Sequence, residues 1–185
     1  NRLAVMLDTT ENPAVPPFGF VLDYLAYGGL YREVWLDVRG ADVIEDVFVM
    51  TPSLDRAEIT LTVSGSPVRR RVTLLDDTGA VCAVAEGDDN KYYVNYSSAR
   101  PWTLDEPNLY SIRAELLDES GAVTDEETVR FGFRTAEFRR TGFYLNGERV
   151  FLRGLNRHQC YPYMGYAAPE ALQREDARIL KEELC

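Results

Sequence analysis

Apolar residues along this chain recur mainly at every second position, the period of a strand with one buried face. Over residues 1–39, Leu3, Val5 and Leu7 alternate with polar or small neighbours, and Tyr31–Val38 resumes the alternation after Gly28 and Gly29. Pro13, Pro16 and Pro17 interrupt it, so two strands around a loop are expected here. Two strands cannot build a core of their own. Residues 1–39 therefore read as the C-terminal end of a larger β-domain.

Residues 40–136 carry about seven short apolar runs at the spacing of a β-sandwich. They are Val43–Met50, Glu58–Val63, Val68–Leu75, Ala80–Ala85, Lys91–Tyr96, Tyr110–Leu116 and Thr128–Arg134. Ile59, Leu61 and Val63 share one face of their run; so do Tyr110, Ile112, Ala114 and Leu116, and so do Val129, Phe131 and Phe133. Asp76-Asp77-Thr78-Gly79 and Asp118-Glu119-Ser120-Gly121 supply turns. No long helical period intervenes, and an immunoglobulin-like sandwich is expected. Trp102, in the loop Pro101–Tyr110, is expected to plug into its core.

The pattern changes in residues 137–185. Phe143–Asn146 and Arg149–Leu152 flank Asn146-Gly147, the strongest short-range hairpin signal. A polar segment, Gly154–Pro162, follows. Pro169-Glu170 then opens a helix, with proline in the first turn and a carboxylate at the positive end of the dipole. Leu172, Ile179, Leu180 and Leu184 form its apolar face. Strand, loop and helix are the first step of a β/α unit. The expected fold is all-β: an immunoglobulin-like β-sandwich at 40–136, flanked by two strands of a truncated domain at 1–39 and a strand-loop-helix stub at 137–185.

With 185 residues, 45% of them hydrophobic, the chain can bury a substantial core. Its formal net charge of −10 argues against nucleic acid and against an anionic membrane as partners. Three cysteines, Cys82, Cys160 and Cys185, are far apart and match no metal-ligand spacing; they fit a reducing compartment, and a cytoplasmic location is expected. The N-terminal residues lack the pattern of a signal peptide. The chain opens inside a strand pattern without methionine and closes inside a helix without a cap, so an excised piece of a longer protein is expected.

The candidate chemistry is sparse. Asp23 precedes Tyr27-Gly28-Gly29-Leu30-Tyr31-Arg32; a carboxylate followed by aromatics can accept from sugar hydroxyls while rings cover the C–H face. The same pattern also describes a turn-entry aspartate beside core aromatics. His158 is the only histidine and can donate or accept near neutral pH, with Asn156 and Arg157 beside it to orient a ligand; an ordinary structural histidine has the same signature. Tyr161, Pro162, Tyr163 and Tyr166 can line a sugar-sized site or pack a loop. No carboxylate pair is marked as an acid/base dyad by spacing, and there is no Gly-x-Ser-x-Gly, phosphate loop or histidine-rich metal motif. No catalytic residue is assigned within the chain.

Over essentially its whole length the chain resembles the β-galactosidase branch of glycoside hydrolase family 2. Tyr27-Gly28-Gly29-Leu30-Tyr31-Arg32-Glu33-Val34 resembles the signature at the end of that family's sugar-binding jelly roll. Pro101-Trp102 to Leu109-Tyr110, and then Arg130-Phe131-Gly132-Phe133-Arg134, resemble its central immunoglobulin-like domain. Asn146-Gly147, Arg153-Gly154-Leu155-Asn156-Arg157-His158 and Pro162 resemble the entry to its TIM barrel. The resemblance implies three parts: residues 1–39 from the jelly roll, 40–136 the sandwich, and 137–185 the start of the barrel.

It also implies substrate contacts. Asp23 matches the jelly-roll aspartate that holds the galactosyl ring, in some members beside a sodium ion. His158, with Asn156 beside it, matches the barrel histidine that contacts sugar hydroxyls. Arg157 favours the galactosidase branch, since glucuronidases tend to carry lysine there, and Gln159-Cys160-Tyr161 departs from the usual histidine-rich run. Family members hydrolyse β-glycosides with retention through two glutamates whose carboxyls stand roughly 5–5.5 Å apart. Both are expected outside this chain, as are the magnesium ligands. The fragment itself is then expected to be inactive and to hold no cofactor. The intact enzyme would use magnesium and sodium, take a β-galactoside and allow a homo-oligomer. The competing expectations are a non-catalytic carbohydrate-binding module, or the same family with glucuronide or mannoside specificity.

Overall fold

The computed structural model describes residues 2–8, 10, 12, 14, 29–67 and 69–183. It divides into two compact units, one formed by Asn1–Leu36 with Gly154–Cys185 and the other by Asp37–Arg153.

In the 37–153 unit, seven strands form a two-layer sandwich. They are β1 (Val43–Ser53), β2 (Arg56–Ser64), β3 (Arg69–Leu75), β4 (Val81–Gly87), β5 (Lys91–Asn95), β6 (Tyr110–Leu117) and β7 (Val123–Phe131). One sheet has the order β1-β2-β5 and the other β4-β3-β6-β7, with antiparallel neighbours throughout. The chain thus passes from the first sheet to the second after β2, returns for β5 and crosses again for β6. That is the immunoglobulin-like arrangement expected from the spacing of the runs.

Register explains why the core closes. Val72 lies opposite Ala114 and Leu74 opposite Ile112, so the period of two sends all four inward from adjacent strands. They meet Ile44, Ile59 and Leu61 from the facing sheet, and all of these side chains are essentially inaccessible. Each large apolar side chain so buried contributes about 1.5–3 kcal/mol relative to exposure. Phe133, fully buried, packs edge-on against Tyr110 at 5.1 Å and Phe131 at 5.0 Å between ring centroids. The Tyr110 hydroxyl accepts the Arg100 amide at 2.9 Å, tying the preceding loop to the start of β6.

All seven sequence runs become strands, with shifted ends. The last begins earlier, at Val123, because the tight turn after β6 lets pairing start at Leu117↔Val123; it stops at Phe131, so Phe133 is buried beyond the ladder. The two anticipated turns are near copies. In each, one aspartate Oδ1 accepts two amides and a hydroxyl: Thr78 N, Thr78 Oγ1 and Ala80 N at Asp76, and Ser120 N, Ser120 Oγ and Ala122 N at Asp118. Gly79 and Gly121 both take φ 84°.

A third sheet in the same unit, built of shorter strands, has the order β10-β9-β8, from β8 (Ala136–Arg139), β9 (Gly142–Leu145) and β10 (Glu148–Val150). Asn146 (φ 52°) and Gly147 (φ 83°) turn the chain between β9 and β10, the double left-handed geometry for which this dipeptide is suited. Strand β8 was not expected: Ala136 and Phe138 alternate with Glu137 and Arg139, but the run is only four residues long and all four are exposed. The strand expected at Arg149–Leu152 ends at Val150 instead. Its ladder stops at Val150↔Phe143, and Phe151 and Leu152 remain exposed.

In the other unit, helix α1 (Glu170–Glu183) starts where the Pro169-Glu170 signal places it. Leu172, Ile179 and Leu180 are half-buried, and Leu184 lies outside the described residues. The solvent side carries Glu170–Arg174 and Arg178–Glu182 pairs one turn apart. The two strands expected in residues 1–39 do not form among the described residues. Tyr31–Val38 has an alternating pattern but no ladder partner, and Trp35 stands 78% exposed. Alternation marks a face; it does not supply the neighbouring strand that must satisfy the backbone.

Candidate functional site

The polar segment 154–160 follows no regular path; Asn156 and His158 project from it as exposed residues. What holds the segment is the residue between them. Arg157 donates from Nε to Asp176 Oδ2 at 2.6 Å and from Nη2 to Gln173 Oε1 at 2.7 Å. The Tyr161 hydroxyl donates to the same Asp176 oxygen. Gln173 and Asp176 are three residues apart on α1 and so share one face. One face of the helix therefore grips the chain immediately before His158 and three residues after it. The Tyr161 hydrogen bond, and then Arg157, hold the Asp176 carboxyl below the usual carboxylate value. Contact with Tyr161, and then the hydrogen bond to Asp176, raises Arg157 in turn.

Beyond Tyr161 the chain folds back in a short turn. Tyr161 and Gly165 exchange both backbone bonds, at 3.1 and 2.9 Å. Tyr163 at the tip takes φ 68° and is fully exposed, so it lines nothing. Tyr166 instead faces Tyr31, ring centroids 6.4 Å apart, and Arg32 Nη1 donates to the Ala168 carbonyl at 3.0 Å. Tyr31, Arg32, Trp35, Ala168 and Gln173 border an open groove of about 890 Å³. Of the residues singled out from sequence, the structure thus brings Tyr31 and Arg32 to Tyr166 and Ala168, and presents Asn156 and His158 to solvent. Asp23 lies outside the described residues.

Sequence reasoning missed Asp176 and Gln173. The available signal was Asp176 itself, a carboxylate placed four residues after Leu172 and three before Ile179, on the stripe that otherwise reads as apolar. As it stands this surface can offer hydrogen bonds and aromatic faces to a polar ligand. Among the described residues, no three His, Cys, Asp or Glu side chains converge to hold a metal ion. No described helix is long and apolar enough to cross a membrane, and Cys82 and Cys160 are free thiols.

In the 37–153 unit the corresponding fixed point is the corner around Trp102. Its amide donates to the Phe133 carbonyl at 2.9 Å, and Arg134 lies over its ring at 4.9 Å. The ring is half-buried beside Gly132 rather than seated in the core, a correction to its expected place. Asn146 fastens the hairpin to this corner. Its Nδ2 donates to the Trp102 carbonyl at 2.9 Å, its Oδ1 accepts the Thr135 amide at 3.0 Å, and its own amide donates to the Thr135 carbonyl at 2.8 Å.

Comparison with known proteins places these features in context. Residues 43–134 match the family described as glycosyl hydrolases family 2. A beta-galactosidase of Thermoanaerobacter pseudethanolicus is 37% identical over 198 residues, covering 100% of this chain and 26% of the relative. One from Thermoanaerobacterium thermosulfurigenes is 38% identical over 203 residues, covering 100% of this chain and 28% of the relative. Among solved structures, a β-glucuronidase from Ruminococcus gnavus in complex with D-glucuronic acid superposes with a TM-score of 0.68 at 26% identity, over 76% of this chain and 24% of that one. The chain spans about a quarter of the length of the relatives it matches.

Proposed function

The chain belongs to glycosyl hydrolases family 2, and from that premise we propose that it serves a retaining β-galactosidase-type enzyme acting on terminal β-galactosides. Identity of 37–38% along the entire chain to two proteins named beta-galactosidase carries this reading. In it, Asn156 and His158 hydrogen-bond the hydroxyls of the galactosyl ring, and Asp23 accepts from them. Arg157 does not reach the sugar. Its guanidinium is committed to Asp176 and Gln173, so it acts by holding its two neighbours in place. In sequence, the sandwich lies between the segments that carry Asp23 and His158.

The acid and nucleophile of a retaining hydrolysis are two carboxyls roughly 5–5.5 Å apart; in this proposal neither belongs to the chain, which contributes binding and alignment. Magnesium, sodium beside Asp23, self-association and a cytoplasmic location are parts of the proposal for the whole gene product. The two free thiols support the last of these.

Turnover of nitrophenyl β-galactoside against nitrophenyl β-glucuronide by the whole gene product tests the substrate class. Preference for the galactoside is expected; preference for the glucuronide establishes the second reading, which the structural likeness to a β-glucuronidase favours. The chain alone is expected to turn over neither. Calorimetric binding of galactose to the chain alone, tighter than about 1 mM, would instead mark a free-standing carbohydrate-binding module.

A further inference from the structure

Asn146-Gly147 is the only Asn-Gly dipeptide in the chain, and we propose that it is a deamidation site gated by the fold, whose reaction irreversibly unfastens the β8–β10 hairpin. Both halves of the inference come from the geometry around one carboxamide.

The first half concerns reactivity. In deamidation the backbone nitrogen of the following residue bonds to the asparagine Cγ, that nitrogen loses its proton, and Nδ2 leaves as ammonia. Water then opens the resulting succinimide at either carbonyl, to aspartate or isoaspartate. Glycine is the most permissive following residue, since no side chain shields its nitrogen, and here Gly147 is exposed with open space where a Cβ would stand. The nucleophile is therefore available. The electrophile is not: the Asn146 carboxamide is half-buried, with Nδ2 on the Trp102 carbonyl and Oδ1 on the Thr135 amide. For Gly147 N to reach Cγ, the carboxamide must rotate off both partners. Reaction requires the hairpin to lift from its corner, a local opening rather than global unfolding.

The second half concerns the product. Aspartate at 146 places a carboxylate oxygen where Nδ2 stood, 2.9 Å from the Trp102 carbonyl oxygen, so two acceptors face each other with no proton between them. Isoaspartate inserts a methylene into the backbone of a two-residue turn and breaks the register that sets Leu145 opposite Glu148. Neither product can restore the clamp.

The test keeps the whole chain under mildly alkaline conditions, folded and in concentrated urea, and follows the tryptic peptide Thr141–Arg149 by mass and isoaspartate content. Conversion of Asn146 is expected to be at least about tenfold slower in the folded chain, the factor set by an opening free energy of ~1.4 kcal/mol. Equal rates in the two states, or no conversion in urea, would overturn the gating. Amide exchange in the converted fraction of aged protein, and separately in Asn146→Asp, reads the consequence. Faster exchange across Ala136–Val150 with Tyr110–Leu117 unchanged is expected; undisturbed hairpin protection in the aged fraction would overturn the release.

Discussion

A Cβ built on Gly132 falls 2.6 Å from the Cβ of Trp102, and 2.8 Å from its Cγ. The contact involves the stem of the indole, close to its backbone anchor on the Phe133 carbonyl, and the stem cannot swing away as a flexible tip could. Absence of a side chain at 132 is thus what allows the Trp102 loop to lie on the strand leaving the sandwich. Gly132→Ala is expected to destabilise the chain by about 1–3 kcal/mol, the usual cost of overpacking. Urea unfolding should show a lower midpoint with an unchanged slope.

Tyr110 has two roles that a single substitution separates. Tyr110→Phe keeps the ring against Phe133 and removes the hydroxyl that accepts the Arg100 amide and also interacts with the Arg100 side chain. A loss of about 1 kcal/mol is expected, whereas Tyr110→Ala, which also opens a cavity, should cost several times more. Equal losses in the two variants would show that the hydroxyl, not the ring, dominates.

Asp76 and Asp118 make the sandwich acid-sensitive. Hydrogen bonds, led by Thr78 at Asp76 and Ser120 at Asp118, hold both carboxyls below their ordinary value of 3.8. A carboxyl whose folded pKa lies below its unfolded one contributes stability above the unfolded value, and that contribution disappears as pH falls through the folded one. Unfolding midpoints between about pH 6 and about pH 2 should therefore decline below about pH 4. In the Asp76→Asn, Asp118→Asn double variant, which keeps an acceptor oxygen but no titration, the decline should be shallower.

Tyr161→Phe deletes the first of the contacts that lower Asp176. The Asp176 carboxyl is expected to move up toward its ordinary value, as read by carboxyl carbon shifts in an NMR titration. Amide exchange across 154–165 should quicken while the sandwich strands stay protected. Because His158 is the sole histidine, its imidazole resonances give an unambiguous second signal of the change in its segment.

In the whole gene product, His158→Asn is expected to slow β-galactoside hydrolysis by about 10²-fold or more, on the premise that the residue contacts the sugar in the transition state. Loss of kcat/KM with the unfolding midpoint of this chain unchanged is the diagnostic pattern. Full activity would remove His158 from the site.

Some of this was legible residue by residue. Alternation at Ile59-Leu61 and Tyr110-Ile112-Ala114-Leu116 declared the buried faces because a sandwich strand needs little beyond a period of two and a turn. Asn146-Gly147 declared its hairpin because few dipeptides tolerate two left-handed residues in succession. Tyr31–Val38 shows the limit: the same alternation produced no strand, since pairing depends on a neighbour that local pattern does not contain. Strand β8 escaped notice for another reason: Ala136 and Phe138 alternate with charged neighbours, but a run of four exposed residues is too short to declare a strand.

By itself the sequence determined the seven-stranded sandwich, the turn chemistry, the helix start and the family motifs, all of which follow from spacing along one chain. Only the tertiary structure decided that Arg157 is held by Asp176 and Gln173, that Trp102 rests on Gly132, and that Asn146 fastens the hairpin to the Trp102 corner. Each of these joins residues at least sixteen positions apart. Such pairs are selected by shape and hydrogen-bond complementarity once the backbone has folded, and no local period encodes them.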